Sequence, residues 1–192
     1  MQLMNLKTKY LGKKFEFYKI IDSTQNEIWR RIKRNQIENG TLIMADIQTN
    51  GVGTHGRVWY TDETENIAFS IFLETNCFNQ NIEGITTEIA EILVQIFKRR
   101  YNIDLTIKNP NDIMCKDKKI GGILTESKVN GDNTKFLVIG IGINTKKTNF
   151  SDDIKEIATS IKKEFNVDVN RIEVISEFCN EFEKIIDRRI KK

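Results

Sequence analysis

Residues 119–144 read KIGGILTESKVNGDNTKFLVIGIGIN and contain two runs rich in β-branched residues, 119–127 and 134–141. Each run has the length and composition of a strand. The residues between them, 130–133, are Asn-Gly-Asp-Asn, which favour a tight turn because Gly and Asn tolerate the backbone angles that it requires. The segment therefore predicts a β-hairpin.

Further strands and helices are predicted on both sides of this hairpin. Strand patterns occupy residues 15–21, 41–47, 66–73 and 105–108, and helical spacing of apolar residues occupies 26–39, 82–101, 152–165 and 170–190. The two kinds of element alternate irregularly, without repeats or linker-like segments. We predict a single α+β domain over residues 1–192, with a mixed, largely antiparallel sheet flanked by helices.

Composition limits the classes of function. The 30 basic and 27 acidic residues leave a net charge of +3, which is too balanced to indicate nucleic-acid binding. No apolar run approaches the roughly 18–20 residues of a membrane span, and the polar start lacks the apolar core of a signal peptide. With three cysteines, no CxxC spacing and one histidine, a structural zinc site or disulfide scaffold is not expected. We expect a cytoplasmic protein without membrane contact.

The first segment whose residues suit the binding of a ligand is the glycine-rich stretch 51–59, GVGTHGRVW. Glycines let backbone N–H groups approach a phosphate or carboxylate closely. The stretch does not open a helix with an acidic residue about twenty positions later, so a Rossmann dinucleotide loop is excluded by context. A plain hairpin connection is equally compatible with this segment, but Arg57 can reach an anion and Trp59 can shield it from water.

The second segment is 108–126, which contains Pro110, the only proline of the chain. Asn111 and Asp112 then supply an amide and a carboxylate suited to ribose, phosphate or Mg²⁺. Lys119 precedes a Gly-Gly pair that would let a ligand lie against the strand, and its ammonium would supply a point charge for a phosphate or carboxylate. A solvated charge run is the alternative reading of the lysines at 116, 118 and 119.

The strand ending at 140–144, GIGIN, alternates glycine with isoleucine. One interpretation is tight packing against a neighbouring backbone. The other is a flat strand edge for an adenine ring, with Asn144 binding the base. His55 lacks a partner carboxylate placed by the sequence, so we expect it to face an anion or to be exposed.

In their order and spacing, these segments together resemble the catalytic domain of the biotin protein ligases. The resemblance covers roughly residues 15–190. The family is related in fold to class II aminoacyl-tRNA synthetases and lipoate ligases. The matching motifs are Asp22-Ser23-Thr24, Ala45-Asp46-Ile47-Gln48, the loop 51–59, Lys108-x-Pro110-Asn111-Asp112, Lys119-x-x-Gly122-Ile123-Leu124-x-Glu126 and Gly140-x-Gly142-x-Asn144.

The resemblance implies an activity and a set of site residues. Biotin and ATP with Mg²⁺ would form biotinyl-5'-AMP, and biotin would pass to a lysine of a biotin carboxyl carrier domain. The implied catalytic residues are Lys119, Arg57, Lys108 and Asp112, the last also a tentative Mg²⁺ ligand. The implied biotin-binding residues are Ser23, Thr24, Gln25, Gln48, Gly51, Gly53, Lys119 and Gly122, and the implied ATP-binding residues are Gly53, Thr54, His55, Gly56, Arg57, Trp59, Asn111 and Asn144.

The chain departs from the family pattern in several places. Val52 and Thr54 replace the usual arginines of the loop, so we expect weaker retention of the adenylate or a compensating role for His55. Asn109 replaces the usual tryptophan. We also expect no DNA-binding domain before residue 15 and no β-barrel domain after the last helix.

Two other functions remain open at this level. A lipoate or octanoate ligase would share the chemistry, although Ser23, Thr24 and Gln48 suit a ureido ring better than a dithiolane. A non-catalytic biotin- or nucleotide-binding protein would explain the missing arginines. A homodimer through an edge strand is compatible with the resemblance.

Overall fold

The computed structural model of the protein describes residues 2–61 and 66–190. Within these residues, seven strands form one sheet and four α-helices flank it. The strands are β1 (Phe15–Ile21), β2 (Leu42–Gln48), β3 (Ile67–Phe78), β4 (Thr106–Lys108), β5 (Asp112–Cys115), β6 (Lys118–Asn130) and β7 (Asn133–Ile143). The helices are α1 (Thr24–Lys33), α2 (Ile85–Tyr101), α3 (Ile161–Phe165) and α4 (Arg171–Ile190).

The sheet has the strand order β1-β2-β3-β7-β6-β5-β4. Only the β1–β2 pair is parallel among the described strands, and the five other pairs are antiparallel. The predicted hairpin is present as β6–β7, with Asn130 opposite Asn133 and Gly131 at a positive φ of 59°. The predicted fold class, a mixed and largely antiparallel sheet with helices, is confirmed.

One face of the sheet packs against α2 and α4. Because side chains alternate between faces along a strand, the odd-numbered residues 137–143 of β7 point to this side together with Phe69 and Ile71 of β3. They are buried against Ile89, Leu93 and Phe97 of α2 and against α4. This face forms the main hydrophobic core.

The opposite face is covered by α1 only in part. Ile28 of α1 packs on Ile43, Phe72 and Val138 in a second, smaller cluster. Beyond that cluster lie two cross-strand rows, Ser70-Gly140-Leu124 and Ala68-Gly142-Gly122. Every residue of these rows except Leu124 has a small side chain or none. Glycine leaves the floor of the sheet bare, so these rows form a recess beside the N-terminus of α1.

The predicted helix over 152–165 is wrong. Residues 152–157 form turns, and only Ile161–Phe165 is helical. The reason is tertiary. The N–H of Lys119 donates to the Ile157 carbonyl at 2.8 Å, and the N–H of Thr159 donates to the Lys119 carbonyl at 2.9 Å. Pairing of residues 157–159 with the start of β6 therefore interrupts the predicted helix, and the apolar spacing of the segment does not reveal this contact.

Several boundaries also differ from the predictions. α1 ends at Lys33 rather than at residue 39, and β3 runs to Phe78 rather than to residue 73. β5 was not predicted as a strand. It lies between β4 and β6, and the Asn109–Pro110 peptide bond before it is cis. No helix of the described segments is long and apolar enough to span a membrane.

Candidate functional site

The site begins where β1 ends and α1 starts. The hydroxyl of Ser23 caps α1 by accepting the N–H of Asn26 at 3.4 Å. Asp22 receives both terminal nitrogens of Arg30 at 2.7 Å, and this pairing lowers the pKa of the carboxyl to about 2. The ion pair fixes the turn between strand and helix, and so fixes the direction of the next side chains.

Ser23, Thr24 and Gln25 line a small cavity, here called the inner cavity. Its walls come from α1, β2, the loop 51–59 and the glycine rows of β6 and β7. Its free volume is about 40 Å³. The lining residues are Ser23, Thr24, Gln25, Gln48, Val52, Gly53, Thr54, Trp59, Phe69, Ser70, Asn111, Lys119, Gly122, Ile123, Leu124, Gly140, Ile141 and Gly142.

Polar groups are concentrated at the α1 end of the inner cavity. The amide oxygen of Gln48 accepts the backbone N–H of Thr24 at 2.8 Å and its hydroxyl at 3.1 Å. The Thr24 and Ser70 hydroxyls are 2.8 Å apart, and the Gln48 amide nitrogen donates to Thr61 at 3.1 Å. Ser70 is a cavity residue that the sequence analysis missed. Its position opposite Gly140 becomes evident only from the strand pairing.

The loop 51–59 forms one wall of the inner cavity. The N–H of Gly53 donates to the Arg57 carbonyl at 2.7 Å, and the Arg57 guanidinium donates to the Thr54 hydroxyl at 2.9 Å. His55 has a positive φ of 57° and is exposed. Thr54 therefore holds Arg57, the one arginine in the sequence of the loop 51–59.

Trp59 lies on the glycine floor. A Cβ atom at Gly142 would be 2.3 Å from Cε2 of the indole, and a Cβ atom at Gly122 would be 3.3 Å from Cζ3. The indole also faces the ammonium of Lys119, which is 5.6 Å from the ring centroid. Only glycine at position 142 permits this close contact. The small volume of the inner cavity is consistent with the position of the indole.

Lys119 stands at the junction of β5 and β6. Its ammonium is 2.6 Å from Asp112 Oδ1, and both side chains are partly buried. Its backbone is held by the segment 157–159 as described above, which fixes the base of the side chain. The arrangement gives a positioned cation that can exchange its carboxylate partner for a ligand anion.

A second, larger cavity lies on the other side of Lys119 and is here called the outer cavity. Its volume is about 370 Å³. Four cationic side chains contribute to its walls: Arg57, Lys108, Lys119 and Lys147. The other lining residues are Gly53, Thr54, Val58, Trp59, Tyr60, Asp112, Met114, Asp117, Asn144, Phe150, Ile154, Ile157 and Ala158.

Asn144 and Lys147 follow β7 on one side of the outer cavity. The Asn144 amide donates to the Thr159 carbonyl at 3.1 Å. The Lys147 ammonium lies 6.0 Å from the ring centre of Tyr60 and 5.5 Å from that of Phe150. The sequence analysis missed Lys147. Lysine in a polar loop is usually solvated, and only the fold shows that this one is buried.

The structure brings most of the residues proposed from the sequence into these two cavities. Gly51, His55 and Gly56 line neither cavity, and Asn111, assigned to the nucleotide, lines the inner one. The assigned residues on the inner cavity are Ser23, Thr24, Gln25, Gln48, Gly53, Thr54, Trp59, Asn111, Lys119 and Gly122. Those on the outer cavity are Gly53, Thr54, Arg57, Trp59, Lys108, Asp112, Lys119 and Asn144.

The fold is a mixed sheet with two adjoining cavities that share Lys119, and comparison with known proteins gives the family. Residues 17–144 match the model of the biotin/lipoate A/B protein ligase family. The match covers more than half of the chain. The chain belongs to this family.

Two similar proteins carry the name of a ligase. The bifunctional ligase/repressor BirA of Bacillus subtilis is 34% identical over 181 residues, covering 93% of this chain and 55% of the relative. Human biotin–protein ligase is 28% identical over 192 residues, covering 95% of this chain and 26% of the relative. The chain therefore spans about half of the bacterial relative and about a quarter of the human one.

A solved structure supports the fold assignment. The biotin protein ligase of Aquifex aeolicus in complex with biotin and ATP superposes with a TM-score of 0.76 at 27% identity. The match covers 94% of this chain and 73% of that one. The likeness extends beyond the matched family segment and includes the C-terminal helices.

Proposed function

We propose that this chain activates biotin with ATP to form biotinyl-5'-AMP and transfers biotin to a lysine of a biotin carboxyl carrier domain. A carboxylate oxygen of biotin attacks the α-phosphorus of ATP, and pyrophosphate leaves. The amine of the acceptor lysine then attacks the acyl carbon, and AMP leaves. Both steps require two reactants to be held side by side in defined positions.

The observation that carries the proposal is that Lys119 lines both cavities. The inner cavity would hold the ring and tail of biotin once the Trp59 indole moves off the glycine floor to make room, and the outer cavity would hold the nucleotide. The carboxylate and the α-phosphate then meet at one ammonium group. A positioned cation lowers the repulsion between the two anions and stabilises the negative charge that develops in the transition state.

The polar end of the inner cavity supports a ureido ring as the group bound there. A ureido ring presents one carbonyl and two N–H groups. The Ser23, Thr24 and Ser70 hydroxyls and the Gln25 and Gln48 amides supply both donors and acceptors among otherwise apolar walls. An aliphatic dithiolane has no N–H group, so it would leave the buried Gln25 Oε1, which accepts no hydrogen bond from the described residues, unsatisfied at a cost of about 1–3 kcal/mol.

The outer cavity supports a nucleotide with its metal. Arg57, Lys108 and Lys119 place positive charge around the position proposed for the phosphates. Asp112 suits Mg²⁺, which takes one or two carboxylates and otherwise phosphate oxygens and water. The described residues contain no group of three or more His, Cys, Asp and Glu side chains that could hold a metal ion. When bound, Mg²⁺ would neutralise phosphate charge and activate pyrophosphate as a leaving group.

The proposal also includes a compartment and a quaternary state. The thiols of Cys77, Cys115 and Cys179 are free, which suits the cytoplasm, where ATP is available. β1 is an edge strand with Ile20 exposed, and it could pair with a second copy of the chain. Sedimentation of wild type and Ile20→Lys tests this part. Self-association that is lost in the variant supports a dimer through β1, and a wild-type monomer at micromolar concentration contradicts it.

ATP–pyrophosphate exchange with biotin and with lipoate in parallel tests the proposed reaction. Biotin-dependent exchange is the expected result. Exchange with lipoate or octanoate in place of biotin would assign the chain to the lipoyl branch of the family. Binding of biotin or ATP without exchange in the presence of Mg²⁺ would identify a non-catalytic binding protein.

A further inference from the structure

The Gln25 amide is the most constrained group of the inner cavity. Its nitrogen donates to Glu126 Oε2 at 2.8 Å and to the Val138 carbonyl at 3.2 Å. A carboxylate and a carbonyl can only accept. The nitrogen must therefore face these two oxygens, and the amide oxygen of Gln25 points the other way.

The carboxylate that orients Gln25 is itself held in place. The indole N–H of Trp29 donates to the same Glu126 Oε2 at 2.6 Å, and the Trp29 ring packs edge-to-face on Phe136 at 5.7 Å. Trp29 follows Gln25 by one helical turn on α1, so both donors approach Glu126 from one side. The three side chains form a clamp between α1 and β6, here called the Glu126 clamp.

The clamp leaves the Gln25 oxygen without a partner. Gln25 is 3% exposed, and its Oε1 accepts no hydrogen bond from the described residues. The oxygen lies beside Gly140, where a Cβ atom would be 2.8 Å away, and both residues line the inner cavity. An unsatisfied buried acceptor costs about 1–3 kcal/mol, and a ligand donor placed there removes that cost.

We infer that the Glu126 clamp is a specificity device: it aims Gln25 Oε1 at an N–H of the ureido ring. The inference rests on the proposed function, because it assumes that biotin occupies the inner cavity. Glu126 and Trp29 are positioning residues that act through Gln25. The dithiolane of lipoate has no N–H, so it leaves the oxygen unsatisfied and is rejected.

Calorimetric binding of three acids tests the inference. Biotin and desthiobiotin carry the ureido N–H groups, and lipoate does not. Glu126→Met and Gln25→Met should raise the Kd of biotin and desthiobiotin about tenfold or more, as expected for the loss of one buried hydrogen bond. The Kd of lipoate and the KM of ATP should change less than about threefold.

Two matched variants separate positioning from structural damage. Glu126→Gln keeps an acceptor for Gln25 and Trp29, so biotin affinity should stay within about threefold of wild type. Glu74→Met removes an exposed carboxylate from the same sheet and should leave all three Kd values unchanged. If Glu126→Met does not fold, Gln25→Met carries the test, since it leaves the Glu126–Trp29 hydrogen bond in place.

The outcomes distinguish this inference from the proposed function. Equal weakening of biotin and lipoate by Glu126→Met would overturn the inference and indicate a structural role. Unchanged biotin affinity in Gln25→Met would overturn it as well, while biotin-dependent exchange by wild type would keep the proposed function. A wild-type protein that binds no biotin would remove both.

Discussion

At the scale of single residues, the proposed reaction depends most on Lys119. Its ammonium contacts Asp112 and faces both cavities. Lys119→Ala should lower biotin-dependent exchange by orders of magnitude, because the variant loses the charge that brings the two anions together. Lys116→Ala is the matched control, since that side chain is 81% exposed and should tolerate removal. An unchanged exchange rate in Lys119→Ala would remove the assigned role.

Trp59 and Gly142 form a contact that a single methyl group would break. Gly142→Ala places a Cβ atom on the indole, so Trp59 should move off the cavity floor. We expect greater quenching of tryptophan fluorescence by acrylamide. Trp59→Phe identifies the emission that belongs to this residue. Quenching identical to wild type in Gly142→Ala would show that the indole does not lie there in solution.

The loop 51–59 carries one arginine, Arg57, where the family resemblance led us to expect more. The Arg57 guanidinium donates a hydrogen bond to the Thr54 hydroxyl. It is the one guanidinium that this loop could offer to the adenylate. We expect biotinyl-5'-AMP to dissociate faster than from an arginine-rich relative, and Val52→Arg should slow its release. Stopped-flow release of the adenylate measures this rate. Retention in wild type as tight as in such a relative would contradict the expectation.

At the scale of elements, α1 is tied to β1 by ion pairs. Arg31 contacts Glu16 of β1 and Glu27 of α1, and Arg30 contacts Asp22. The hydrogen bond from Arg31 lowers the pKa of Glu16. A carboxyl whose pKa is lower in the folded state stabilises the fold above its unfolded pKa, near 4, and loses that contribution as the pH falls through the folded pKa.

The contribution of the Arg31–Glu16 pair to the free energy of unfolding should therefore depend on pH. Arg31→Gln should cost about 2 kcal/mol of unfolding free energy at pH 7, and its difference from wild type should shrink between about pH 5 and pH 2. Urea unfolding at several pH values measures both. Lys33→Gln, at the exposed end of α1, is the control. A difference that stays constant down to pH 2 would exclude the Arg31–Glu16 pair as its source.

At the scale of the whole molecule, ligand binding should stabilise the fold by mass action. At a hundredfold excess over Kd, a ligand adds about 2.7 kcal/mol, or roughly 5–10 °C in Tm for a chain of this size. Lys108 lines only the outer cavity, whereas Lys119 lines both. Lys108→Ala should therefore reduce the shift caused by ATP and spare that of biotin, and Lys119→Ala should reduce both. Equal loss of both shifts in Lys108→Ala would contradict the division into two cavities.

Local patterns in the sequence predicted much of this architecture. β1 was predicted with its observed bounds, and the β6–β7 hairpin followed from its turn residues. Cavity-lining residues at positions 23–25, 48, 53, 54, 57, 59, 119 and 122 were also singled out. Turn chemistry and strand alternation act over a few residues, so a single sequence contains that information.

The tertiary structure alone decided the sheet order, the pairing of residues 157–159 with the start of β6, the burial of Lys147 and the direction of the Gln25 amide. Each depends on a contact between residues far apart in the chain. Gln25 and Glu126 are 101 positions apart, and no local propensity links them. Such contacts form only when the whole chain buries its core, because the free energy of that burial, and not any short segment, selects them.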